Sequence, residues 1–165
     1  MRSVALIVGI ALLAGCHSTM DTASGRPEVV MAASPAEAKA AIIGTYINLG
    51  NSLTKDTTYQ VVIQEAGLSP TAQLWLGPGT DYRMTFTLLP AAEKTRVIGE
   101  GIRVQNAGTN SEQLIPLESS APDQRMQSIL NNIAAGFAAG HPVDQIVTET
   151  VTIAKQTKSP TAAAL

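Results

Sequence analysis

Tyr82-Arg83-Met84-Thr85-Phe86-Thr87-Leu88 (YRMTFTL) alternates without a slip between large apolar and polar side chains. A period of two is the signature of a strand. One oily side and one polar side fit an antiparallel sheet that lies on a core with one face and meets water with the other. Upstream, Thr58–Gln64 puts Tyr59, Val61 and Ile63 on one face and Thr58, Gln60 and Gln64 on the other, and Ala72–Leu76 is a shorter strand closed by Gly77-Pro78-Gly79. Downstream, Pro90–Lys94 is a turn into a strand at Thr95–Gln105. There Val97-Ile98 and Ile102/Val104 fall out of phase across Gly99-Glu100-Gly101, so a glycine bulge is expected to reset the register. A phosphate-cradling loop is not supported at those glycines, because no helix follows and the spacing matches no nucleotide motif.

Helical signals flank the strands. Ser34-Pro35-Ala36-Glu37 has the form S-x-x-E with proline at the first helical position, which is a capping box. Ala38, Ala41, Ile42, Tyr46 and Leu49 follow at helical spacing and Gly50-Asn51 stops the run, so a helix is predicted over 35–49. Asn106–Ala121 reads as a polar loop with a Leu114-Ile115-Pro116-Leu117 patch. Pro122-Asp123 opens a helix whose Met126, Ile129, Leu130, Ile133 and Phe137 share a face, ended by Gly140. After His141-Pro142, the series Val143, Ile146, Val147, Thr150, Val151 and Ala154 has helical spacing, although its β-branched residues leave a strand open.

Helix, about four antiparallel strands, then one or two helices is an α+β pattern, with N-terminal and C-terminal helices packed on one face of the sheet. The Arg83/Thr85/Thr87 face is expected to be wet. The order resembles, at the level of architecture only, helix-grip and similar small sheet-and-helix domains of envelope lipoproteins.

The first residues carry an address. Arg2 precedes an unbroken apolar or glycine run from Val4 to Leu13, which is followed by Ala14-Gly15 and the chain's one cysteine, Cys16. A charged start, a short apolar run and small residues make a secretory signal, and the run is well short of the ~20 residues that cross a bilayer. Leu13-Ala14-Gly15-Cys16 resembles the lipobox of bacterial lipoproteins. The resemblance implies cleavage before Cys16, a diacylglycerol on its thiol, and acylation of the new amino group. By the same resemblance, His17 in place of an aspartate favours the outer membrane, with the globular part in the periplasm. Residues 1–15 are then signal peptide, 16–33 a flexible tether, 34–157 a single domain and 158–165 a disordered tail. A flexible tether of ~17 residues reaches a few tens of ångströms. Val29-Val30-Met31 within it reads alternatively as an edge strand.

Composition excludes several roles. Without Arg2 the chain has 10 basic and 13 acidic residues, a net charge of −3, and no Lys/Arg cluster, so a nucleic-acid partner is not expected. His17 and His141, the two histidines, have no partners at metal-ligand spacing, so neither a metal nor another cofactor is expected. No Gly-x-Ser-x-Gly elbow is present, and the acidic residues read as solvated surface. Trp75 falls on the opposite phase from Leu74 and Leu76 and, with Arg83, is a candidate contact for a partner. The expectation is therefore a membrane-anchored, non-enzymatic binding, accessory or assembly component of the envelope with a protein partner. The alternative is a carrier with an apolar pocket lined by Tyr82, Met84, Phe86, Ile129 and Phe137. A hydrolase is the third reading.

Overall fold

The computed structural model describes residues 20–65, 80–116 and 121–158. The elements run β1 Glu28–Met31, α1 Pro35–Asn48, β2 Ser52–Asp56, β3 Gln60–Glu65, β4 Thr80–Ala91, β5 Lys94–Gln105, β6 Gln113–Pro116, α2 Ala121–Ala138 and α3 Val143–Lys158. This is an α+β fold. The strand expected at Ala72–Leu76, with Gly77-Pro78-Gly79, lies outside the described residues, as do the signal peptide and the tail from 159.

The sheet is antiparallel throughout, in the order β1-β5-β4-β3-β2, with β6 also on β5. It has six strands among the described residues rather than about four. β1, β2 and β6 are the additions, pieces of four or five residues that are too short to show a period. β1 pairs with Thr95–Ile98 and β6 with Ile102–Gln105, so together they line one edge of β5 from end to end. Among the described residues the second outer edge is β2, whose five residues are all exposed.

The alternation of Tyr82–Leu88 folds as its period dictates. Tyr82, Met84, Phe86 and Leu88 are buried together with Val61, Ile63, Val97 and Met31, and the helices cover this face. α1 is held at its start by the reciprocal pair of the capping box: Ser34 Oγ accepts from Glu37 N–H at 3.3 Å, and Glu37 Oε2 accepts from Ser34 N–H at 3.0 Å. At its end Gly50 takes φ +91°. The last segment is a helix, not a strand, and it buries Ile146, Thr150, Val151 and Ala154. Two glycines let the helices close on each other: a β-carbon on Gly136 would fall 2.6 Å from Ile146, and one on Gly44 2.9 Å from Val147.

Three expectations need correction. No bulge interrupts β5, whose pairing with β4 runs in unbroken register from Thr80↔Gln105 to Ala91↔Lys94. Gly99 and Gly101 both face the helices instead and leave room for Met126 and Tyr82. The register shift lies in β2 between Leu53 and Lys55, at a sheet edge, where bulges are common. Tyr59 does not join Val61 and Ile63 in the core; it is 53 % exposed, in the turn before β3.

The third concerns the span read as tether. Glu28–Met31 is a strand, the lesser of the two readings. The Gln127 carboxamide from α2 completes the outer side of β1, since Glu28 N–H donates to Gln127 Oε1 at 2.7 Å and Gln127 Nε2 donates to Glu28 O at 2.9 Å. Order extends further back. Gly25 N–H donates to Thr22 O, Pro27 O accepts Gly99 N–H at 2.7 Å, and Arg26 reaches Glu100 at 3.4 Å.

Candidate ligand pocket

The apolar face of the sheet is longer than the helices that cover it. At the end where β3 finishes and β4 begins, the first turns of α2 stand over β4 and β5 and leave a cavity of about 310 Å³. Its floor is Tyr82 and Met84 of β4. Its walls are Met126 and Ile129 of α2 and Tyr46 of α1. Glu65, Asp81, Arg103 and Arg125 bring charge to the lining, and Asn51, Ala121 and Pro122 complete it.

Sequence explains why this end stays open. Gly101 lies on the covered face of β5, and Tyr82 lies against it: a β-carbon on residue 101 would fall 2.6 Å from Tyr82 Cζ. Gly99 admits Met126 in the same way, Met126 Cγ lying 3.4 Å from where a β-carbon would be. Two small positions on one strand thus let a phenol ring and a thioether lie low. Tyr46 is fixed from behind by Phe86, with ring centroids 5.2 Å apart at 45°.

Tyr46 and Tyr82 both line the pocket, and their hydroxyls are buried with no hydrogen-bond partner among the described residues. Tyr46 is 3 % exposed and Tyr82 9 %. Burial, and next the neighbouring Tyr82 hydroxyl, pushes the Tyr46 phenol up from its ordinary range. Burial and then the Asp123 carboxylate do the same to Tyr82. Both therefore stay neutral, each keeping an O–H donor and lone pairs that no described group uses. Asp123, with Oδ1 buried and unpartnered, is raised by burial and by Glu100. Of the lining charges, Arg125 approaches Glu65 at 3.9 Å, and Asp81 accepts from Gln64 Nε2 at 2.6 Å. Arg103 is half-buried and has neither ion pair nor hydrogen bond among the described residues.

The predicted positions scatter. Tyr82, Met84 and Ile129 line the cavity as the carrier reading requires, whereas Phe86 is packed fully inside the core and Phe137 lies at its margin. Arg83 is on the opposite face of the sheet, beside a shallow groove of about 480 Å³ with Thr85, Ile102 and Leu114. Its guanidinium is held by Glu112 through two bonds of 2.9 and 3.3 Å, and Arg83, Thr85 and Thr87 are half-buried rather than fully wet. Cys16 and Trp75 lie outside the described residues. His141 Nδ1 is 3.2 Å from Glu149, at the start of α3 and away from the pocket residues. Among the described residues no group of three His, Cys, Asp or Glu side chains could hold a metal ion. Arg103, Arg125, Glu65 and Asn51 were not legible as pocket residues. The only local signal was the pair of glycines two apart in the strand that pairs with Tyr82.

No protein-family model, curated protein or solved structure matches this chain.

Proposed function

We propose that this protein is a lipid-anchored, non-enzymatic binding protein of the cell envelope whose folded part takes a small, largely apolar ligand into the pocket between β3–β5 and α2. The apolar cavity lined by Tyr46 and Tyr82, whose buried hydroxyls have no partner among the described residues, carries the reading. Burying a hydroxyl without a partner costs about 1–3 kcal/mol, and a ligand with one or two polar atoms recovers it. The cavity volume is at the lower end of the range for small-molecule sites, ~300–1,000 Å³. The anchor is the Cys16 thiol, carrying a diacylglycerol at the periplasmic face of the outer membrane, as the lipobox resemblance implies.

The test of the pocket is fluorescence of the neutral apolar dye N-phenyl-1-naphthylamine. Emission rises with wild-type protein and does not with Ile129→Trp, which fills the cavity. Equal dye binding by the two, both folded by circular dichroism, overturns the reading. The anchor is tested by intact mass of protein extracted from membranes, with Cys16→Ala as the control lacking the acyl mass.

The fully exposed edge strand β2 favours a second reading, an assembly or scaffold component that meets an envelope protein by strand addition. Lys55→Pro, which blocks such pairing, should then abolish association with that protein and leave dye binding intact.

A further inference from the structure

The pocket reading leaves open what kind of molecule is bound, and the lining charges narrow it. We infer that the ligand is an acyl amphiphile with an anionic oxyacid head, carboxylate or phosphate, its tail against Met84, Met126 and Ile129 and its head on Arg103. This rests on the ligand-pocket reading above.

Three observations support the head site. Arg103 lines the cavity, is half-buried, and has neither ion pair nor hydrogen bond among the described residues. A guanidinium that is partly desolvated and unpaired is a standing site for an oxyanion, which it can hold through two parallel N–H bonds. The acids nearby do not supply that partner: Glu65 faces Arg125, Asp81 takes a hydrogen bond from Gln64, and Asp123 is raised toward its neutral form by burial and by Glu100. The start of α2, an 18-residue helix, forms part of the same wall through Ala121 and Pro122, so the positive end of its dipole also favours an anion.

Further in, the cavity has the chemistry of a tail site. Met84 and Met126 are unbranched and adapt to an irregular chain. The Tyr46 and Tyr82 hydroxyls give a polar atom next to the head a partner without charge. A water molecule's share of the liquid is about 30 Å³, and a methylene is of similar size. The cavity thus accepts roughly ten such groups, a medium-length chain or the first part of a longer one.

The experiment is calorimetric titration of the full soluble domain with decanoate, decyl phosphate and decanol below their aggregation limits, using wild type, Arg103→Gln and Arg103→Lys. The expected result is that at least one anion binds about ten-fold or more tightly than decanol, as a charge-assisted hydrogen bond allows. R103Q brings that ratio to within about two-fold, and R103K, which keeps the charge and checks the fold, retains the preference. Preference for decanoate points to a free fatty acid as the source and preference for decyl phosphate to a phospholipid-type head; both uphold the inference. Decanol binding as tightly as the anions, or an unchanged ratio in R103Q, overturns the anionic head and leaves the pocket reading standing. Failure of all three to bind overturns the pocket reading itself.

Discussion

Tyr82 lies across Gly101: the phenol of one strand occupies the space that any larger residue on the next strand would need, with Cζ 2.6 Å from the position of a β-carbon. That relationship links a backbone position to the shape of the pocket. Gly101→Ala therefore displaces the ring, which has Met84, Met126 and Ile129 around it in the same lining. Overpacking of this kind costs about 1–3 kcal/mol. Urea denaturation should show the loss, and dye uptake should fall with it. An alanine variant as stable as wild type would mean that the ring has room to move.

Tyr46→Phe and Tyr82→Phe should move stability and binding in opposite directions. Each removes a buried hydroxyl that has no partner, so the ligand-free protein gains about 1 kcal/mol per substitution. Each also removes a hydrogen-bond partner for the ligand, so affinity falls. Paired melting curves without and with ligand read both effects. A destabilised ligand-free Phe variant would show that the hydroxyl is already satisfied.

Acid should unfasten β1. The Arg96 guanidinium, and next the Ser24 backbone and side chain, hold the Glu28 carboxyl down at about 2 from the usual 4.5, and the Arg96 Nε to Glu28 Oε1 distance is 2.6 Å. A carboxyl depressed in the folded state stabilises fully above its unfolded value and ceases to do so as the pH falls through the folded one. The contribution is therefore complete above pH 4.5 and fades toward pH 2. Denaturation midpoints of wild type and Glu28→Gln should differ at pH 6 and converge toward pH 2; a constant gap across that range would remove the pair from the account.

The β4–β5 hairpin contains a strained residue. Ala92 has φ +52° in a two-residue turn between Ala91 and Lys94. A left-handed conformation costs an L-residue ~1–2 kcal/mol, part of which glycine returns as freedom in the unfolded chain. Ala92→Gly should raise stability by about 0.5–1 kcal/mol in thermal unfolding, and a lower melting temperature would contradict this.

Sequence made the middle of the molecule legible and its margins poorly so. Tyr82–Leu88 and the α1 capping box each state a period or a cap within a few residues, and the structure has both. β1 and β6 are four residues each, too short for a period, and they exist because β5 presents a long bare edge to them. Gly99 and Gly101 were open to a local reading as a bulge. Their actual role, making room for Met126 and Tyr82, depends on side chains from another strand and from a helix that follows 20 residues on. Of the pocket, Tyr82, Met84 and Ile129 were predictable as apolar-face residues. Arg103 was not, because an unpaired cation is defined by what surrounds it in space.

The early folding of the chain onto β5 sets a height. With residues 26–31 on the sheet and residues 20–25 folded into a turn before them, only residues 17–19 lie between Cys16 and the described residues. At ~3.3–3.6 Å per residue, that leash spans at most about 15 Å, not a few tens of ångströms. A domain acylated at Cys16 would then ride against the lipid headgroups, close enough to exchange a chain with the leaflet beneath it rather than search the space beyond.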